Sequence, residues 1–103
     1  MSVLDRFSLA GKRALVTGAS RGIGRQIAEC LAGEGVNLAI CARGPEGVEA
    51  AKKELERKGV SVFAKSVDVA NSEALKAFIA DSASALGGLD ILISNVSASG
   101  GQG

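Results

Sequence analysis

The chain has no histidine, no tyrosine and no tryptophan, with one proline and two cysteines among its 103 residues. The missing histidine weakens any metal-centre reading, and no metal ligand is expected. Cys30 and Cys41 do not form a Cys-x-x-Cys pair; they read as buried thiols of a protein kept in a reducing cytosol. An excess of charge of one sign is also missing. Twelve Lys and Arg face eleven Asp and Glu, for a net charge of +1. That gives no electrostatic reason to expect nucleic acid or an anionic membrane as partner. The densest basic group, Lys52, Lys53, Arg57 and Lys58, is interleaved with Glu49, Glu54 and Glu56, as on a solvated helix face. No apolar run is long enough to cross a bilayer. Met1 to Leu9, with Asp5 and Arg6, does not read as a signal peptide. A cytoplasmic protein is expected.

What is present is a regular alternation. Lys12 to Thr17 reads as a first strand. A helix from Gly22 to about Glu34 follows, with Ile23, Ile27 and Leu31 as its apolar stripe, widened by Ala28 and Ala32. Val36 to Ala42 is a nearly continuous apolar strand, the pattern of a strand buried on both faces. Pro45 suits a first helical position, and that helix runs to about Lys58 with Val48, Ala51 and Leu55 on one face. Val60 to Val67 is a third strand. Asn71 or Ser72 caps a third helix with Leu75, Phe78, Ile79 and Leu86 inward, and Leu89 to Ser94 is a fourth strand. The tail that follows, SASGGQG, packs nothing.

This order predicts an α/β, Rossmann-type doubly wound parallel sheet, with strands in the order 3-2-1-4. Right-handed crossovers put the first two helices on one face and the third on the other. The fourth strand is left as an apolar edge, so the sheet is expected to continue, with residues 1–103 as the cofactor-binding part of one larger domain.

The run LVTGASRGIG sits at the first strand-to-helix turn. Anion binding there needs a tight turn, a bare backbone and helix N–H groups aimed at the ligand. Gly18 can make the turn, Gly22 permits close approach, and Gly24 lets the helix pack on the strand. Thr17, Ser20 and Arg21 add donors. The spacing is Gly-x-x-x-Gly-x-Gly, between a strand and a helix.

TGASRGIG closely resembles the cofactor motif of the short-chain dehydrogenases/reductases. Asp68 and Val69 resemble the family's adenine-contacting pair, and LDILISN, ending at Asn95, resembles the strand and asparagine that follow. The resemblance runs from about Leu9 and is nearest to 3-oxoacyl-(acyl carrier protein) reductases. It implies a cofactor site of Gly18, Ser20, Arg21, Gly22, Ile23, Gly24, Asp68, Val69 and Asn95. Where the family has Asn-Asn-Ala-Gly, this chain has Ser94, Asn95, Val96 and Ser97. The end of the second strand separates the two nicotinamide cofactors, because an NAD site wants a carboxylate there. The matching position is Ala42, followed by Arg43. With Arg21, this suits the 2′-phosphate of NADP(H). Asp68 also reads as a turn cap, Cys41 as a packing residue and Asp90 as a turn residue.

The resemblance also implies hydride transfer between NADP(H) and a carbonyl or alcohol substrate, in an assembly of two or four subunits. The family's Tyr-x-x-x-Lys cannot lie in a chain without tyrosine, so no catalytic residue is assigned. The alternative is a non-catalytic dinucleotide-binding module or remnant.

Overall fold

The computed structural model describes residues 9–95. The readings for the first residues, the tail, Val96 and Ser97 lie outside them. Seven elements alternate along the chain: β1 (Arg13–Thr17), α1 (Gly22–Gly33), β2 (Asn37–Ala42), α2 (Pro45–Glu56), β3 (Val62–Ser66), α3 (Ser72–Leu86) and β4 (Ile91–Ile93). The four strands form one parallel sheet in the order β3-β2-β1-β4. This is the Rossmann-type arrangement expected from the alternation.

Strand alternation divides the core into two layers. Ala14 and Val16 of β1, Leu38 and Ile40 of β2 and Val62 of β3 pack with Ala28, Ala32, Ala51 and Leu55 of α1 and α2. The residues between them, Leu15, Ala39 and Cys41, pack with Val67 and Phe78 on the other side. There Phe78 of α3 stacks on Phe63 of β3, with ring centroids 5.9 Å apart. The buried Ser82 hydroxyl donates to the Phe78 carbonyl at 2.7 Å, which satisfies it inside the apolar layer. Leu92 of β4 also points to this second face and is 60% exposed.

Two expectations are corrected. The buried face of α1 is Gly24, Ala28 and Ala32; the two alanines expected to widen the stripe form its centre, and Ile23 and Ile27 lie outside it. Small residues line the contact with the sheet, and Leu31 packs at its margin. Ile23 is 66% exposed, while Ile27 and Leu31 are half-buried. Cys30, on the outer side of the same helix, is exposed rather than buried.

Element ends are shorter than the apolar pattern suggests. Lys58 N–H donates to Leu55 O at 3.0 Å and Gly59 N–H to Glu56 O at 3.0 Å, a tightened turn that finishes α2. Of the two cap candidates for α3, Asn71 is used: its side chain accepts from Ala74 N–H at 3.1 Å. Gly87, at φ 83°, closes the other end of that helix.

Candidate functional site

The carboxyl ends of β1, β2 and β4 converge on the glycine loop between β1 and α1. Gly18 takes φ 62° and Gly22 φ 66°, values that disfavour any side chain. The two differ in surroundings. A Cβ on Gly18 would lie 2.6 Å from the Asn95 carbonyl oxygen, whereas one on Gly22 would meet nothing within 4 Å. Gly18 is therefore packed in, and Gly22 presents bare backbone to open space. Gly24 is the tightest of the three. A Cβ there would run into the Gly18 carbonyl and lie 2.7 Å from Asn95 Nδ2.

Asn95 forms the back of this loop. Its backbone N–H donates to Thr17 Oγ1 at 2.8 Å, and its side-chain amide reaches the Gly18 carbonyl at 3.5 Å. Ala19 N–H donates to Cys41 O at 3.2 Å, which ties the loop to the end of β2. Cys41 is buried, and loss of water pushes its thiol up to about 11, with a hydrogen bond from the Gly18 backbone opposing the shift. It is a packing residue with little thiolate character at neutral pH.

The amino end of α1 faces the loop. Arg21 is its N-cap residue, with extended backbone and no side-chain cap, and the first turn carries no acidic residue. The positive end of the helix dipole thus meets no carboxylate of its own first turn. Ser20 is half-buried in the loop. Its carbonyl accepts from Arg25 Nη1 at 3.5 Å, and Arg25 is held in turn by Glu29 at 2.8 Å. Neither Arg25 nor its role is visible in the glycine pattern.

Two further candidates flank the loop. Arg43 is exposed directly after β2, and its carbonyl accepts from Ser66 Oγ at 2.7 Å. Ala42 beside it is buried, so no carboxylate stands at the strand end; the nearest acidic residue along the chain is the exposed Glu46, in the first turn of α2. Asp68 follows β3 and caps its turn, with Oδ1 accepting from Ala70 N–H at 3.0 Å. Val69 is half-buried against the α3 layer.

Asp90 has a larger part than that of a turn residue. Its Oδ2 accepts from Arg13 N–H at 2.9 Å and Arg13 Nε at 3.0 Å, and its Oδ1 from Nη2 at 3.2 Å. Arg13 also donates to Gly87 O at 2.7 Å. Hydrogen bonds from Arg13 lower the Asp90 pKa, and the same pairing raises that of Arg13. This pair joins the starts of β1 and β4, the two strands that end at Thr17 and near Asn95. The partners are 77 residues apart, so only the folded chain reveals it.

Residues 12–103 match the short chain dehydrogenase family. The chain belongs to that family. It is 49% identical over 85 residues to a 3-oxoacyl-(acyl-carrier-protein) reductase of Staphylococcus aureus, an overlap covering 82% of this chain and 35% of that protein. Among solved structures, it is similar to L-sorbose reductase from Gluconobacter frateurii complexed with NADPH and L-sorbose. The TM-score there is 0.83 at 40% identity, over 87% of this chain and 35% of the other. Hydroxysteroid dehydrogenase from Escherichia coli gives a TM-score of 0.86 at 31% identity, over 94% and 41% of the two chains. The chain spans about a third of the length of the curated relatives it matches. These short-chain dehydrogenase relatives bear out the resemblance to 3-oxoacyl reductases. The bare Gly22 backbone and the uncapped start of α1 fit the diphosphate of a nicotinamide dinucleotide. No helix among the described residues is long and apolar enough to cross a membrane.

Proposed function

We propose that residues 1–103 carry the NADP(H)-binding part of an oxidoreductase acting on a small carbonyl or alcohol. The supporting observation is the pairing of an open glycine loop with a β2 end that has Arg43 and no carboxylate at Ala42. In this reading, Gly18, Gly22, Ile23 and Gly24 border the diphosphate, and Ser20 stands with Arg21 on the side of the 2′-phosphate. Arg21 and Arg43 take the 2′-phosphate, since two guanidinium groups suit a phosphate and an acidic residue would repel it. Asp68 and Val69 meet the adenine, and Asn95 meets the ribose while bracing the loop through Thr17 and Gly18.

The bound cofactor would supply or accept a hydride. This chain's contribution is to bind and orient it, because a sequence without tyrosine has no Tyr-x-x-x-Lys to handle the substrate proton. No NADPH oxidation by these 103 residues alone is expected with any carbonyl substrate. The same lack of tyrosine favours the second reading, a dinucleotide-binding module without chemistry. Assembly into dimers or tetramers belongs to the oxidoreductase reading.

The test is a fluorescence titration of the chain with NADPH and NADH, repeated with Arg43→Asp. NADPH is expected to bind more tightly, and the substitution to weaken it about tenfold, the scale of one lost charge-assisted phosphate contact. Equal binding of both cofactors would overturn the NADP assignment.

A further inference from the structure

Gly47 belongs to no motif, yet it lies where α2 meets the glycine loop. A Cβ on Gly47 would stand 3.2 Å from Ser20 Cβ and 3.7 Å from Ser20 Oγ. Its backbone is not in the left-handed region, so no turn requires glycine here. Glycine is also a poor residue for the interior of a helix. What its missing side chain permits is close approach. The first turn of α2, which opens two residues after Arg43, lies directly against Ser20.

Ser20 is held from other directions as well. Arg25 Nη1 reaches its carbonyl at 3.5 Å, and the preceding Ala19 N–H is bonded to Cys41 O at 3.2 Å. Besides Asn95 at its back, the loop thus rests on α1, the end of β2 and the first turn of α2. The contact with α2 is set by the missing side chain of Gly47.

We infer that Gly47 is a specificity-determining positioning residue, whose bare first turn holds Ser20 and Arg21 beside the end of β2 so that they and Arg43 serve one anion. The inference rests on the NADP(H) reading above and adds to it a residue that touches the cofactor only through Ser20. A methyl group at this position crowds Ser20 and must shift the loop or the helix by a few tenths of an ångström. Such a shift acts on the wall that receives the 2′-phosphate, which NADPH has and NADH lacks.

The experiment measures binding of NADPH, NADH and adenosine 2′,5′-bisphosphate to the 103-residue chain and to Gly47→Ala. Gly33→Ala is the control, since a Cβ there meets nothing within 4 Å. Gly47→Ala is expected to weaken NADPH and the bisphosphate about fivefold and NADH by less than about twofold, with Gly33→Ala unchanged. In a Ser20→Gly background the same substitution should add nothing, because the atom it crowds has gone. An equal loss for both cofactors, no loss at all, or an undiminished effect in the Ser20→Gly background would overturn the inference and leave the NADP(H) reading standing. A wild-type chain with no preference for NADPH would instead remove that reading, and this inference with it.

Discussion

The two ends of the sheet are built differently. At the amino ends of the strands, long polar side chains make the links. Arg13 clamps Asp90 and Gly87, and Asn37 Oδ1 accepts from Ser61 N–H at 2.9 Å. At the carboxyl ends, the links are short and made largely by backbone and hydroxyl groups: Thr17 to Asn95, Ala19 to Cys41, Ser66 to Arg43. Glycines fill the space between them. One end fixes strand register with side chains that lie away from the glycine loop. The other keeps side chains small, which leaves the Gly22 backbone facing open space. Rigidity at the loop then comes largely from close backbone packing at Gly18 and Gly24, and adding atoms there is more damaging than removing them elsewhere.

The largest test of this contrast lies within one helix. Gly24→Ala places a methyl against the Gly18 carbonyl and Asn95 Nδ2, whereas Gly33→Ala, at the far end of α1, enters open space. Gly24→Ala is expected to cost about 2 kcal/mol or more, the scale of overpacking a rigid site. Gly33→Ala is expected to be neutral or to stabilise by a few tenths of a kcal/mol up to about 1, as for alanine in a helix. Urea denaturation of the two variants checks both signs, and equal midpoints would break the contrast.

The amino end gives a smaller, pH-dependent effect. Asp90 has its pKa lowered in the folded chain, so its contribution is present above the ordinary carboxylate range and is lost as pH falls through the lowered value. Asp90→Asn removes that dependence. The variant should melt below the wild type at neutral pH, and the gap should close in acid. Thermal midpoints recorded across that range check it; a gap constant with pH would show that the charge has no part in the clamp. The effect is modest because the pair is partly open to solvent, with the Arg13 and Asp90 side chains 33% and 30% exposed.

Much of this architecture was legible in the sequence because few rules govern it. Parallel strands joined by right-handed crossovers leave little choice of order once the switch after the third strand is recognised. The glycine loop was legible because its spacing falls at a strand-to-helix turn. The face of α1 was only partly so, since hydropathy ranks Ile23 and Ile27 above Gly24, while small residues line the contact with the sheet. Asp90 and Gly47 were hidden for a common reason. Each acts on a residue remote in sequence, Arg13 or Ser20, and each looks ordinary among its own neighbours. Cys30 reads as buried because a thiol counts as apolar, yet it lies exposed on the outer side of a helix.

The most direct test of the dinucleotide site is an NMR titration of the ¹⁵N-labelled chain with NADPH. The largest amide shifts are expected at Gly18 to Gly24, with further shifts at Arg43, Asp68 and Asn95. Shifts confined to the charged hollow lined by Glu29, Glu54, Arg57 and Lys58, between the outer sides of α1 and α2, or none at the glycine loop, would contradict it.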